Sequence, residues 1–564
     1  MKKQGFLLGS AILMTSMLIT KILGLIYKIP LTNILGGEGM SYYSSAYSIF
    51  MPVFAISVTG ITTALSKIIS ENLSFKRYAN AVKIKRCAML FFTLSGILFT
   101  AVSLFIGYII CTFVLHSKSA FLSVAAISPS IFFSSIISVQ RGFFEGGRNM
   151  LPTCISEIIE SILKVIFGIG GAYYALFLAN SEFQSTSTVF GIVCNSQDEA
   201  LKAALPYISA ASLLGVTIST AISTLYLIFI SKRKAYKLEK GLLTKDPITD
   251  KRRKIISFLI ALAIPMALSC LITTIVSIVD MLTIQPIIKH TIEENPNSII
   301  YLKGCEEISA QNIPAFLYGS FTGLALTVFS LVPSLASMLG KSALPNISHH
   351  FAKNDLKNVC RQSQNAVFIT NLIAIPSGLG IAFFPKEILT TLFSGRTAEI
   401  EASYEALSVL GIGVLFISLT VTSFSLLQSI GKEKVPIYIL MSAVIVKTVL
   451  NFVLIAVPSL SITGAAISTV VFYIITAAAS TAYYFKSIKC KICFFENFIK
   501  PLYASANCIM GAIITNNFLK GYVGATTAFL ACITISVIIY IFSVAILFKM
   551  TKKNFKLMFL SNNA

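Results

Sequence analysis

Apolar stretches of membrane-crossing length recur along this chain so regularly that only one fold class stays open. With a window of about 20 residues, fourteen can be drawn, from 6–29 and 44–70 at the amino end to 501–519 and 523–548 at the carboxyl end. Inside hydrocarbon each backbone N–H and C=O must find a partner within the protein, so spans of this length are helices. The expectation is an all-α polytopic membrane protein with 14 transmembrane helices. Of the 564 residues, 55% are apolar and 12% charged, which leaves no room for a soluble domain. Met1-Lys2-Lys3 resembles the start of a signal peptide, but the apolar run continues past Lys21 without a small-residue cleavage site and is kept as the first helix.

The connections carry the charge. Those at the termini and after every second span hold 33 Lys and Arg, the opposite set only 7. That alternation predicts a cell-membrane protein with both termini cytoplasmic. It also accounts for most of the net charge of +22, so no nucleic acid is needed as a partner. Anionic membrane lipids facing the basic loops suffice. Glu293, Glu294, Glu306 and Glu307 gather on the other side.

Residues 232–254 are the longest charged stretch and divide the chain. The predicted organisation is an amino-terminal lobe at 1–231, this basic cytoplasmic linker, a second lobe at 255–485, and two trailing helices with a basic tail at 486–564. Landmarks repeat across the linker: Gln140, Gly147, Pro152 and Lys164 are echoed by Gln428, Gly431, Pro436 and Lys447, and Lys67 and Arg86 by Lys341 and Arg361. Two six-helix lobes entering from the same side form a parallel repeat, with its pseudo-twofold axis along the membrane normal.

Ionisable groups inside spans are costly, by roughly 2.5–3.5 kcal/mol at the bilayer centre on insertion scales, and mark a wet cavity or a partner. Lys21, Lys28, Lys67, Lys164 and Lys447 lie in spans. For the first three the alternative is a stem that snorkels to the interface. Lys164 and Lys447 fall roughly 17 Å into their helices, near the midplane of a core about 30 Å thick, and are expected to line a central cavity or to sit in a structural ion pair. Glu157 and Glu160 share a helix face with Lys164. Ser269, Thr273, Ser277 and Asp280 form a polar stripe on the seventh span, either cavity-facing or interhelical glue. Five Lys against three acids leave an excess of two positive charges, so the cavity is expected to prefer anions. Asp280 and Lys341 are candidates for gating ion pairs. Pro52, Gly60, Gly323 and Pro333 are candidate bends.

Several chemistries are excluded. Gly340-Lys341-Ser342 ends like a phosphate loop, but position 335 is Leu where that loop needs Gly. No hydrolase or zinc-protease signature appears, so no catalytic residue, cofactor or resident metal is expected. Cys490 and Cys493 form a C-x-x-C without a second ligand pair, Cys194 and Cys305 lie in opposite-side loops where a disulfide is open to them, and His349-His350 reads as solvated.

The run Gly36-Gly37-Glu38-Gly39, Tyr42-Tyr43, Ala46-Tyr47, Phe54, Gly60 and Ala64-Leu65-Ser66-Lys67 resembles the opening of the SpoVB-type polysaccharide flippases, in the MOP exporter superfamily that also holds MurJ and the MATE pumps. The resemblance spans essentially the whole chain. It implies a V-shaped cavity between lobes, basic for the diphosphate of a lipid-linked glycan, with the polyprenyl tail left in lipid. Lys21, in Thr20-Lys21-Ile22-Leu23-Gly24, stands where MurJ has a cavity arginine. Tyr27, with Lys28 adjacent, and Ala55 stand where further arginines would fall, a departure that favours the SpoVB branch and its association with spore cortex peptidoglycan. The function implied is a flippase for an undecaprenyl-diphosphate-linked oligosaccharide or peptidoglycan precursor, with Lys21, Lys28, Lys67, Lys164 and Lys447 binding substrate and envelope-synthesis enzymes as possible partners. The alternatives are a MATE-like cation or multidrug antiporter, and a non-transporting scaffold of envelope synthesis.

Overall fold

A computed structural model describes residues 6–75, 77–147, 149–242, 250–306, 308–334, 336, 347, 348, 350, 351, 353–519, 522 and 524–547. Lys341, His349 and residues 243–249 of the expected linker lie outside the described residues, as do the side chains of residues 233–242, Ser269 and Thr273. Among the described residues the chain is helical apart from one antiparallel ribbon, Thr188–Val189 with Ile192–Val193. Twelve helices are long and apolar enough to cross a membrane, and Ile313–Phe329 is a shorter apolar one. The first of the twelve contains two helices, because Gly36 at φ 60° and ψ −166° breaks the geometry, a conformation that only glycine adopts without strain. Large apolar side chains such as Leu94, Phe105, Tyr174, Phe177, Phe452 and Phe542 stand exposed. A lipid-facing surface explains them.

Two compact units are present: Met1–Pro296 with Ile308–Gly323, and Asn297–Glu307 with Leu324–Ala564. Packing thus groups residues by contact, whereas the lobes expected above follow sequence symmetry. The first unit is built from α1 (Phe6–Phe54), α2 (Gly60–Ser74), α3 (Tyr78–Ile109), α4 (Ala120–Ile127), α5 (Pro129–Gly146), α6 (Leu151–Thr186), α7 (Gln197–Leu242), α8 (Arg252–Glu294) and α9 (Ile313–Ser320). Proline opens α5, α6 and α9 within the first turn, where its missing N–H has no intrahelical partner to lose. Of the candidate bends, Pro52 and Gly60 flank a π-helical turn at Ala55–Thr59, and Gly323 lies inside another at Phe321–Ala325. Proline lacks the N–H that would continue the ladder, and such turns absorb the register error.

The interior of this unit is held by small polar side chains as much as by apolar ones. Ser123 donates to Ser209 at 2.9 Å, Thr217 to the Ala126 carbonyl at 2.6 Å, and Ser223 to the Ser156 carbonyl at 2.8 Å. Small residues let helices approach closely enough for these bonds. Gly168 and Gly215 meet backbone to backbone where α6 crosses α7, and a Cβ on Gly319 of α9 would collide with the Gly37 carbonyl oxygen of α1. The resembling motif Gly36-Gly37 is therefore a helix break followed by a close helix crossing.

The second unit packs α10 (Leu326–Phe329), α11 (Leu356–Phe383), α12 (Pro385–Leu392), α13 (Thr397–Ser429), α14 (Val435–Ile455), α15 (Ser461–Ser487), α16 (Lys500–Leu519) and α17 (Ala525–Leu547). Asp355 caps α11 by accepting from the Asn358 backbone N–H at 3.2 Å. Hydroxyl pairs again join helices: Ser363 with Tyr484 at 2.6 Å and Thr370 with Thr422 at 2.9 Å. Cys360 at the start of α11 is disulfide-bonded to Cys490, while Cys194, Cys305 and Cys493 are free thiols. Cys194 and Cys305, left open as a pair, are both free and buried, each thiol donating to a carbonyl two residues before it.

Candidate functional site

Lys164 and Lys28 anchor a polar cluster inside the first unit. Lys164 of α6 is half-buried; its ammonium donates to the Tyr47 hydroxyl at 3.0 Å and stands 4.7 Å from the centroid of the Tyr27 ring. Tyr27 is in turn fixed, 2% exposed, with its hydroxyl on the Ser212 carbonyl at 3.4 Å and its ring against Gly168, one turn beyond Lys164. A Cβ at Gly168 would come within 2.5 Å of that ring, so glycine there is what lets the aromatic face lie beneath the ammonium. Tyr43 stacks obliquely on Tyr47 at 4.9 Å and on Tyr27 at 6.4 Å. The ladder continues through Phe50 and Phe54, spaced four, three and four residues apart along one helix face. Lys28, also half-buried, donates to the Thr322 carbonyl at 3.3 Å.

What neutralises these charges decides what the site can do. Among the described residues neither Lys28 nor Lys164 forms an ion pair. The acid expected to answer Lys164 is taken: Glu160 accepts from Arg141 at 2.8 Å and from Thr220 at 3.1 Å. Glu157 accepts from Ser16 at 2.6 Å. Arg141 falls inside α5, which runs to Gly146, six residues beyond the span boundary drawn from hydropathy, so the guanidinium escaped the charge ledger. Tyrosine faces and carbonyls stabilise an ammonium, the former by about 0.5–2 kcal/mol, without cancelling its charge. Two cations without an ion pair among the described residues thus share one polar, partly enclosed cluster.

The other sequence candidates have different surroundings. Lys21 and Lys67 are exposed, Asp280 is 5% exposed, and Ser277 on the same helix is exposed, so the polar stripe of α8 does not share one environment. In the second unit Lys447 is 0% exposed and donates to Thr469 at 2.7 Å, with Asn451 enclosed one turn away and accepting from Ser468. His350 faces Asp355 at 3.2 Å. An apolar groove of about 330 Å³ runs along this unit, lined by Gly380, Phe384, Cys508, Phe529, Cys532 and Tyr540. Hydroxyl and aromatic partners carry little signal in a hydropathy scan; the Tyr43, Tyr47, Phe50 spacing was the one clue available.

Residues 6–351 match the family described as polysaccharide biosynthesis protein, and residues 320–453 match MatE. The chain is 23% identical over 474 residues to stage V sporulation protein B of Bacillus subtilis, covering 83% of this chain and 82% of that one. It is 24% identical over 490 residues to the lipid II flippase MurJ of the same organism, covering 85% and 82%. Among solved structures, an inward closed conformation of MurJ superposes with a TM-score of 0.61 at 18% identity, covering 95% of this chain and 99% of that one. An inward-facing multidrug resistance MATE transporter of the MOP superfamily gives 0.60 at 13%, covering 83% and 94%.

Proposed function

Because the chain belongs to the polysaccharide biosynthesis protein family, within the MOP superfamily of membrane transporters, we propose that it flips an undecaprenyl-diphosphate-linked oligosaccharide or peptidoglycan precursor across the cell membrane, in the service of spore cortex synthesis. It is a transporter and not an enzyme, as its relatives are. The observation that carries the reading is the Lys28 and Lys164 pair, held by Tyr47 and the Thr322 carbonyl and left without carboxylates. A diphosphate supplies the missing charge.

In this reading Lys28 and Lys164 bind the diphosphate, and Tyr27 and Tyr47 keep the Lys164 ammonium extended. Lys21 and Lys67 attract the headgroup, and Glu157, Asp280 and Lys341 act in gating. Lys447, enclosed here, pairs with substrate in another conformational state. The groove beside Phe384 and Phe529 accommodates part of the hydrocarbon tail. The proposed topology has fourteen helices in two lobes with cytoplasmic termini, counting both halves of α1 and the helix through Ile313–Phe329. Moving about two negative charges away from a negative interior gains roughly 2.3 kcal/mol per charge per 100 mV, so the membrane potential is a sufficient bias.

The test is transport of a fluorescent undecaprenyl-diphosphate glycan in vesicles reconstituted with the full chain. Wild type is expected to move it and K28M/K164M to lose the activity while remaining monodisperse. Transport by that double variant at the wild-type rate removes the pair from the mechanism. A second reading, a MATE-like antiporter, draws on the MatE match and on the buried Asp280. It predicts instead export of cationic drugs that D280N abolishes.

A further inference from the structure

A second cavity in the first unit has a different chemistry. It measures about 510 Å³, within the roughly 300–1,000 Å³ usual for small-molecule sites. Its walls come from the start of the second half of α1, the connection after α3, the last turns of α8, and the segment entering α9. All four lie at helix ends away from the basic connections at 71–86 and 232–254. The cavity therefore opens on the face of this unit opposite its basic loops, and it shares no lining residue with the Lys28 and Lys164 cluster.

Its polar groups are unspent. Gln285 donates one amide N–H to Ser45 at 3.3 Å, and its carbonyl has no protein partner among the described residues. The side-chain amides of Gln311 and Asn312 have none at all among those residues. Three primary amides offer coplanar donors and acceptors that match adjacent hydroxyl and acetamido groups. The half-buried Tyr42 supplies an aromatic face for the C–H side of a sugar ring. The charges cancel: Lys289 pairs with Glu293 at 3.9 Å. A balanced, amide-rich cavity suits a neutral polyol and offers nothing special to a diphosphate. His116, also lining it, adopts φ 48°, a conformation uncommon for a residue with a Cβ and one that concentrates where a ligand site dictates the backbone.

We infer that this cavity is a saccharide subsite, taking N-acetylated amino sugars of the flipped glycan on the side opposite the basic loops. The inference rests on the flippase reading for its choice of ligand. A sugar held there is retained near the exit while the diphosphate leaves its lysines.

The probe is N,N′-diacetylchitobiose, which has neither diphosphate nor tail, titrated into the full chain in nanodiscs and followed by saturation-transfer NMR. Wild type is expected to bind it, and Q285L/N312L to bind about tenfold more weakly, the loss of one to two neutral hydrogen bonds. K164M is expected to bind it as wild type does. Where the leucine variant fails to fold, K289C serves: chitobiose is expected to slow maleimide labelling of the new thiol. Absence of binding, or binding unchanged in Q285L/N312L with no protection of K289C, overturns the inference. Chitobiose binding by a chain that transports no lipid keeps the subsite and rejects the flippase reading. Lipid transport without chitobiose binding does the reverse.

Discussion

The Lys164 ammonium hydrogen-bonds the Tyr47 hydroxyl at 3.0 Å while standing 5.5 Å from the centroid of that same ring. The phenol therefore supplies a neutral acceptor, which does not remove the positive charge. Replacing Tyr47 by Phe keeps the ring and deletes the acceptor. A neutral partner of this kind contributes about 1 kcal/mol, so Y47F is expected to weaken diphosphate-lipid binding a few-fold and K164M to weaken it far more. Titration of the lipid into detergent-solubilised protein at two salt concentrations measures both. The salt dependence should shrink in K164M alone, since that variant alone loses a charge.

Arg141 and Glu160, at 2.8 Å and with side chains 17% and 28% exposed, are a partly enclosed pair. R141A leaves the carboxylate with Thr220 alone and is expected to cost about 1.5–3 kcal/mol, the range for hydrogen bonds to charged groups. The thermal midpoint in detergent reports it. R141A/E160Q is expected to recover part of the loss, because the uncompensated charge goes with the second change.

Gly168 carries the Tyr27 ring on one side and the Ser212 carbonyl of α7 on the other. A side chain there meets both at once, and G168V is expected to destabilise the chain by about 1–3 kcal/mol through overpacking. G170V, whose added Cβ would have nothing within 4 Å, is the control and should leave the midpoint unchanged.

Near the amino end of α8, Asn80 donates to Asp250 at 2.8 Å and accepts from the Asp250 backbone N–H at 3.0 Å. The hydrogen bond from Asn80, followed by the Lys254 charge, holds the Asp250 carboxyl below its ordinary value. A depressed folded-state pKa stabilises the fold above the unfolded value of about 3.9, and the contribution is lost as pH falls through the lower folded value. Local opening of residues 250–255, read as hydrogen exchange corrected for the intrinsic pH dependence of amide exchange, is expected to be flat from neutral pH to about 5 and to rise only in strong acid. N80A should move that rise toward higher pH.

Of the cysteines outside the disulfide whose side chains are described, Cys493 is exposed and Cys87, Cys111, Cys154, Cys194, Cys305, Cys508 and Cys532 are buried. Maleimide on the folded chain is expected to label Cys493 first, with the others reacting after denaturation and Cys360 and Cys490 only after reduction. Peptide mass spectrometry with and without reductant checks all three classes.

The sequence by itself determined that this is a helical membrane protein, because hydrocarbon permits few backbone solutions and the apolar spans announce themselves residue by residue. It also located Lys28 and Lys164, since a cation in an apolar run is conspicuous without any neighbour. Tertiary structure decided who answers them. Whether Glu160 meets Lys164 on its own helix or Arg141 on another depends on how α5 lies against α6. The same holds for Tyr27 beneath the ammonium, for Cys360 choosing Cys490, and for three unspent amides converging from distant segments on one cavity. Partition into lipid is a sum over single residues and can be read along the chain. Pairing depends on distances between helices, which no stretch of sequence contains.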